Sequence, residues 1–145
     1  MDIDLENKII KSFINKEFQL RLSYEANNKR EDFISKIGNI KYFKTICIIN
    51  ETKKNPSFLI IQQFMKKYDA ANKFYVISNY VKLDGIYIDL ETAVNEFSLN
   101  GPASLIIGLP SGFTHYKGDS YASNQPNFYL VPQIRFDGKT WNEDI

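Results

Sequence analysis

At 145 residues, 43% hydrophobic and 14% aromatic, the chain can bury one ordinary core. That excludes a disordered segment and leaves a single domain over 1–145. The formal net charge is only +1, and one cysteine, Cys47, excludes an internal disulfide framework. The longest apolar runs, 58–61 and 104–109, are too short for a membrane span, and the acidic start Met1–Glu6 lacks an apolar targeting stretch. The expectation is a soluble cytoplasmic protein.

In chain order, the first predicted element is a helix over 4–17, capped by Asp4, with Leu5, Ile9, Phe13 and Ile14 on one stripe. Over 18–25 the period changes to two, with Leu20, Leu22 and Tyr24 alternating with polar residues, which predicts a half-buried strand. Asn28 and Glu31 have capping-box spacing before a short helix through Phe33, Ile34 and Ile37, and Gly38 is placed to end it. The run 42–50, centred on Ile46, Cys47, Ile48 and Ile49, predicts a buried strand. Pro56 suits the first turn of a helix over 56–71, where paired apolar and polar residues recur with a period near four. A hairpin partner for 42–50 is the alternative for this segment.

Residues 74–80 predict a strand, Asp84-Gly85 a hairpin turn, and 86–88 the return strand. Asp89 caps a helix through Phe97, Pro102 follows it, and 104–109 is a buried strand. The stretch 110–126 reads as a long loop. Residues 127–136 read as a strand interrupted by Pro132, followed by a turn at Asp137-Gly138. The fold class expected is α+β: a single layer of mixed, partly antiparallel sheet packed with about four helices.

The charge is unevenly spread. Residues 1–75 carry 14 basic and 9 acidic side chains, and residues 76–145 carry 4 and 8. Asp84, Asp89, Glu91 and Glu96 form an acidic stretch with no basic residue between them. Such a patch steers cationic partners if the fold keeps it whole. If the two regions meet, it dissolves into a mixed surface.

Catalytic signatures are missing. Cys47 lies in an apolar run and reads as core. His115 is the single histidine; without convergent ligands it reads as a surface or hydrogen-bonding residue. Gly108-Leu109-Pro110-Ser111-Gly112 puts Pro110 where a nucleophile elbow needs Ser. Gly112 to Gly118 is one residue too long for a P-loop and has Asp119 where Lys belongs. No catalytic residue, metal site or cofactor is expected, and the chain reads as a non-enzyme.

The aromatics of the last third (Phe113, Tyr116, Tyr121, Phe128, Tyr129, Phe136 and Trp141) lack the interleaved positive charge of a base-stacking surface. They fit a core or a protein-binding surface better. Loops as long as 110–126 often carry function, and Tyr116, Ser120, Tyr121, Ser123 and Asn124 are residue types that binding loops favour.

Lys, Asn and Ile make up a third of the chain, the bias of AT-rich codons, which hints at a low-GC bacterium or a horizontally acquired gene. Together with the small size, the acidic patch and the lack of catalytic motifs, the chain resembles the immunity proteins of bacterial polymorphic-toxin systems, including the contact-dependent inhibition type. The resemblance lies in overall character rather than in a motif. It implies a protein that neutralises a cognate toxin domain, possibly a nuclease, by tight binding. The partner-binding residues expected are Asp84, Asp89, Glu91, Glu96, Tyr116, Asp119 and Tyr121, with carboxylates facing toxin cations and tyrosines as anchors. The alternative is a nucleic-acid-associated or regulatory module using Lys36, Lys41, Lys44, Lys53, Lys54, Lys66, Lys67 and Lys73. A weaker third reading is a small hydrolase using carboxylates with His115.

Overall fold

The structure is a computed structural model that describes residues 1–49, 56–100, 103–118 and 127–141, the last turn of the fifth helix (97–100) by its backbone alone. Five α-helices and six strands lie within these residues. The helices are α1 (Ile3–Phe13), α2 (Gln19–Asn28), α3 (Arg30–Ile37), α4 (Phe58–Lys67) and α5 (Leu90–Asn100). The strands are β1 (Ile48–Ile49), β2 (Lys73–Ser78), β3 (Ile86–Tyr87), β4 (Ser104–Leu109), β5 (Thr114–Lys117) and β6 (Phe128–Leu130). They form one sheet in the order β1-β6-β5-β4-β2-β3, and every pairing is antiparallel. The architecture is α+β, with a fully antiparallel sheet rather than a mixed one.

Strand alternation explains the layering. Tyr75, Ile77, Leu105, Ile107, Tyr116 and Leu130 point to one face and pack against α1, α2 and α3. Val76, Ile106, Phe113 and Tyr129 point to the other, against Ile61 and Met65 of α4 and Leu90, Ala93 and Val94 of α5. With both faces covered, the central strands carry apolar residues at consecutive positions, which is why 104–109 reads as a continuous run.

Several expected elements change. The alternation at 18–25 is not a strand: a 3₁₀ turn at Lys16–Phe18 leads straight into α2. This helix buries Leu22, Glu25 and Ala26 and leaves Leu20 90% exposed. Those three positions have helical spacing, but the charge of Glu25 hides it. Glu25 is buried because Lys36 of α3 donates to its carboxylate, at 2.6 Å to Oε2, and Arg21 adds a second ion pair at 3.1 Å. Burial opposes its charge, and the Lys36 and Arg21 hydrogen bonds outweigh that and hold its pKa below the ordinary value.

The predicted strand 42–50 shrinks to Ile48–Ile49, preceded by two 3₁₀ turns at Ile40–Tyr42 and Thr45–Cys47; Asn50 lies outside the described residues. The backbone of 42–44 pairs instead with the end of α1, through Asn15 N to Tyr42 O (2.9 Å) and Lys44 N to Phe13 O (2.7 Å). The predicted strand 127–136 likewise keeps only Phe128–Leu130. Val131 N donates to Cys47 O at 2.9 Å, and Pro132 then lacks the N–H to continue.

Three helix starts also differ. Asp2, not Asp4, caps α1 by accepting from Leu5 N, and Ser57, one residue after Pro56, caps α4. Lys29 stands at the start of α3, while the Asn28 side chain donates back to Tyr24 O. The helix over 56–71, the strands 74–80 and 104–109, the Asp84-Gly85 return and the Asp89 cap appear as expected, with ends moved by a few residues. Pro102 lies outside the described residues.

The stretch 110–126 is not one loop. Its first part holds β5, joined to β4 by a tight turn over 110–113. Gly112 has φ +91°, and a Cβ there would sit 2.6 Å from the Phe136 ring. Only glycine fits that turn.

Candidate functional site: the β3 edge and its groove

Strand β3 ends the sheet, and its outer side has no strand partner among the described residues. Beside the β2–β3 turn lies a groove of about 540 Å³ whose walls include Met1, Glu31, Ile34, Asn79 and Val81. Its floor is a charged network. Arg30, the first residue of α3, donates to Glu6 Oε1 (2.5 Å) and Oε2 (3.0 Å), to Asp84 Oδ2 (2.8 Å) and Oδ1 (2.9 Å), and to Ala26 O (3.2 Å). All five guanidinium N–H groups are therefore used.

The network continues on both sides. Tyr75 Oη donates to Glu6 Oε2 at 2.5 Å and accepts from Asp2 N at 3.1 Å. Tyr87 Oη donates to Asp2 Oδ2 at 2.5 Å, and Ser78 N donates to Asp84 Oδ1 at 3.1 Å. The hydrogen bond from Tyr87 holds the Asp2 carboxyl below its usual range, while burial and Asp2 push Tyr87 up to about 12. Burial, with the Glu6 carboxylate, also pushes Tyr75 up. Arg30 is raised as well: burial alone would lower it, and the Asp84 and Glu6 contacts override that. Phenols this far above neutrality stay protonated, so the network works as a fixed brace tying α1, α3 and the turn to the β3 edge.

This geometry redistributes the expected site residues. Asp84 is turned inward and committed to Arg30, so the acidic stretch does not stay whole. Asp89 and Glu91 remain exposed at the start of α5, where Asp89 caps the helix by accepting from Thr92 N at 2.9 Å. Glu96 is half-buried on α5. Tyr116 is not a loop anchor: it is fully buried in β5, with its ring 5.1 Å from that of Phe43. Asp119 and Tyr121 lie outside the described residues, as do Ser120, Ser123 and Asn124.

No family model, no curated protein and no solved structure matches this chain.

Two further expectations resolve differently. Cys47 is buried, as its apolar run implies, and burial raises its thiol pKa. His115 is not a surface residue: it lies in β5, 5% exposed, and neither ring nitrogen has a hydrogen-bond partner among the described residues. Burial, aided by the Lys117 charge, lowers its pKa to about 4.

The lysines of the basic half are split. Lys36 and Lys41 lie on or beside α3, whereas Lys66 and Lys67 end α4 on the opposite face of the sheet. Lys36 is spent on Glu25, Lys73 stacks over Tyr87 at 4.1 Å, and Lys53 and Lys54 lie outside the described residues. Among the described residues no group of three His, Cys, Asp or Glu side chains is placed to hold a metal ion, and no helix is long and apolar enough to cross a membrane.

The brace was missed in sequence because its members, residues 2, 6, 30, 75, 84 and 87, share no spacing. The one available signal was the i,i+4 pair Asp2 and Glu6, whose shared helix face brings two carboxylates together.

Proposed function

We propose that this protein is a protein-binding antagonist, an immunity protein that neutralises a cognate bacterial toxin domain in the cytoplasm by tight binding rather than by catalysis. The observation that carries this reading is the β3 edge. Val81 is 88% exposed and Met1 67%, and Ile86 and Tyr87 are exposed on the strand itself. Exposed apolar groups around an open strand edge are what a partner strand or loop covers by β-addition. Asp89 and Glu91 flank that edge with exposed carboxylates, and Glu31 stands on the groove wall. Apolar residues would supply the desolvated centre and carboxylates the steering of a cationic toxin surface. The Arg30 brace would hold the edge in shape before the partner arrives, lowering the ordering cost of binding.

The test is a pull-down of the tagged protein from host lysate, with and without nuclease and high salt. A single stoichiometric protein that survives both treatments, and is lost with Val81→Glu or with Asp89→Lys plus Glu91→Lys, is the expected result. A partner retained equally by these variants would remove the interface from β3. Nucleic acid in the eluate, lost on nuclease treatment, would favour the basic-half reading instead.

A further inference from the structure

We propose that a second groove, between the C-terminal half of α1 and the 133–138 turn, is a docking site for an acidic peptide segment that also carries apolar side chains. The groove has a volume of about 460 Å³, and its walls come from α1, Lys44 and residues 133–138, with none from β3. Its cations are Lys8 and Lys11, three residues apart on one face of α1, and Lys44. Lys8 Nζ donates to Phe136 O at 3.0 Å and Lys44 Nζ to Lys11 O at 3.0 Å. None of the three is within 4.0 Å of a carboxylate among the described residues. Each ammonium has three donors, so most of their hydrogen-bonding capacity is unspent.

The fourth cation of the groove, Arg135, is closed off by Asp69 and Asp137. That distinction selects the ligand. Nucleic acids are read chiefly by arginine forks and by stacking on open rings. Here the arginine is occupied, and the Phe136 ring is packed against Phe13 with centroids 6.0 Å apart. The groove wall also carries Ile134, which is 75% exposed. A phosphodiester backbone leaves such a residue uncovered, while a peptide's apolar side chains cover it. Three ammonium groups beside an exposed isoleucine match a segment that mixes carboxylates with aliphatic residues.

The probe is a short fluorescein-labelled peptide alternating Glu with Leu, titrated into the full chain by fluorescence anisotropy. The same peptide with Gln for Glu and a labelled oligothymidylate serve as comparisons. The Glu peptide should bind at least about ten-fold more tightly than the Gln peptide, and Lys11→Glu should remove about that factor. Lys11 suits the test because its ammonium makes no hydrogen bond or ion pair among the described residues, and Lys11→Gln gives a milder second variant. Charge reversal at Asp89 and Glu91 should leave this affinity unchanged, which separates the groove from the β3 edge. Equal binding of the two peptides, or indifference to both Lys11 variants, overturns the proposal. So does tighter binding of the oligothymidylate, which would assign the groove to nucleic acid.

Discussion

His115 makes the stability of this protein depend on acid in a calculable way. In the unfolded chain its imidazole titrates near 6.5, and in the fold burial holds it near 4. Below pH 6.5 the unfolded state therefore takes up a proton that the folded state refuses. The sign follows: stability is full above about 6.5 and falls as pH drops from 6.5 toward 4. The difference of about 2.5 pKa units corresponds to about 3 kcal/mol lost between pH 7 and pH 4. For a chain this size that lowers the melting temperature by roughly 6–12 °C. The structural cause is specific. His115 lies between Ile106 and Tyr129 in the sheet register, on the face covered by α4 and α5, with neither nitrogen hydrogen-bonded among the described residues. The assay is urea unfolding followed by circular dichroism at pH 7, 5.5 and 4, on the native chain and on His115→Leu. Carboxylate titration acts on both proteins, so the His115 contribution is the difference between their pH profiles. His115→Leu should be flatter by about 3 kcal/mol over this range. Parallel profiles would refute the assignment of a buried, neutral imidazole.

Other side chains give equally direct tests. Arg30→Met leaves the buried Glu6 and Asp84 carboxylates facing each other without their shared cation, and should cost about 3–5 kcal/mol in chemical denaturation. Leu22→Ala should cost about 2–5 kcal/mol, while Leu20→Ala, two residues away and 90% exposed, should stay within about 0.5 kcal/mol. A strand at this segment would not separate the two, because they would share a face. Gly112→Ala places a Cβ 2.6 Å from the Phe136 ring at φ +91°, and should destabilise by about 1–3 kcal/mol in thermal melts.

Where the residues of an element answer to their neighbours in sequence, the chain alone determined the outcome. Helices α1, α4 and α5, strands β2 and β4, and the turns at Asp84-Gly85 and Asp137-Gly138 follow from periodicity, capping residues and glycine at positive φ. The α+β class follows from the same local signals. What only the tertiary structure decided involves groups that are tolerable solely because of a distant partner. Glu25 can sit inside α2 because Lys36 neutralises it, and that buried charge is what made a helix look like a strand. Thr114, His115 and Tyr116 read as loop residues, yet they are buried because β4 and β6 supply hydrogen bonds on both edges and helices cover both faces. Asp84 looked like a surface charge until Arg30, 54 residues away, turned it inward. Local sequence sets backbone preference over a few residues, whereas the burial of a charged or polar group depends on compensation from the whole fold, which no spacing along the chain encodes.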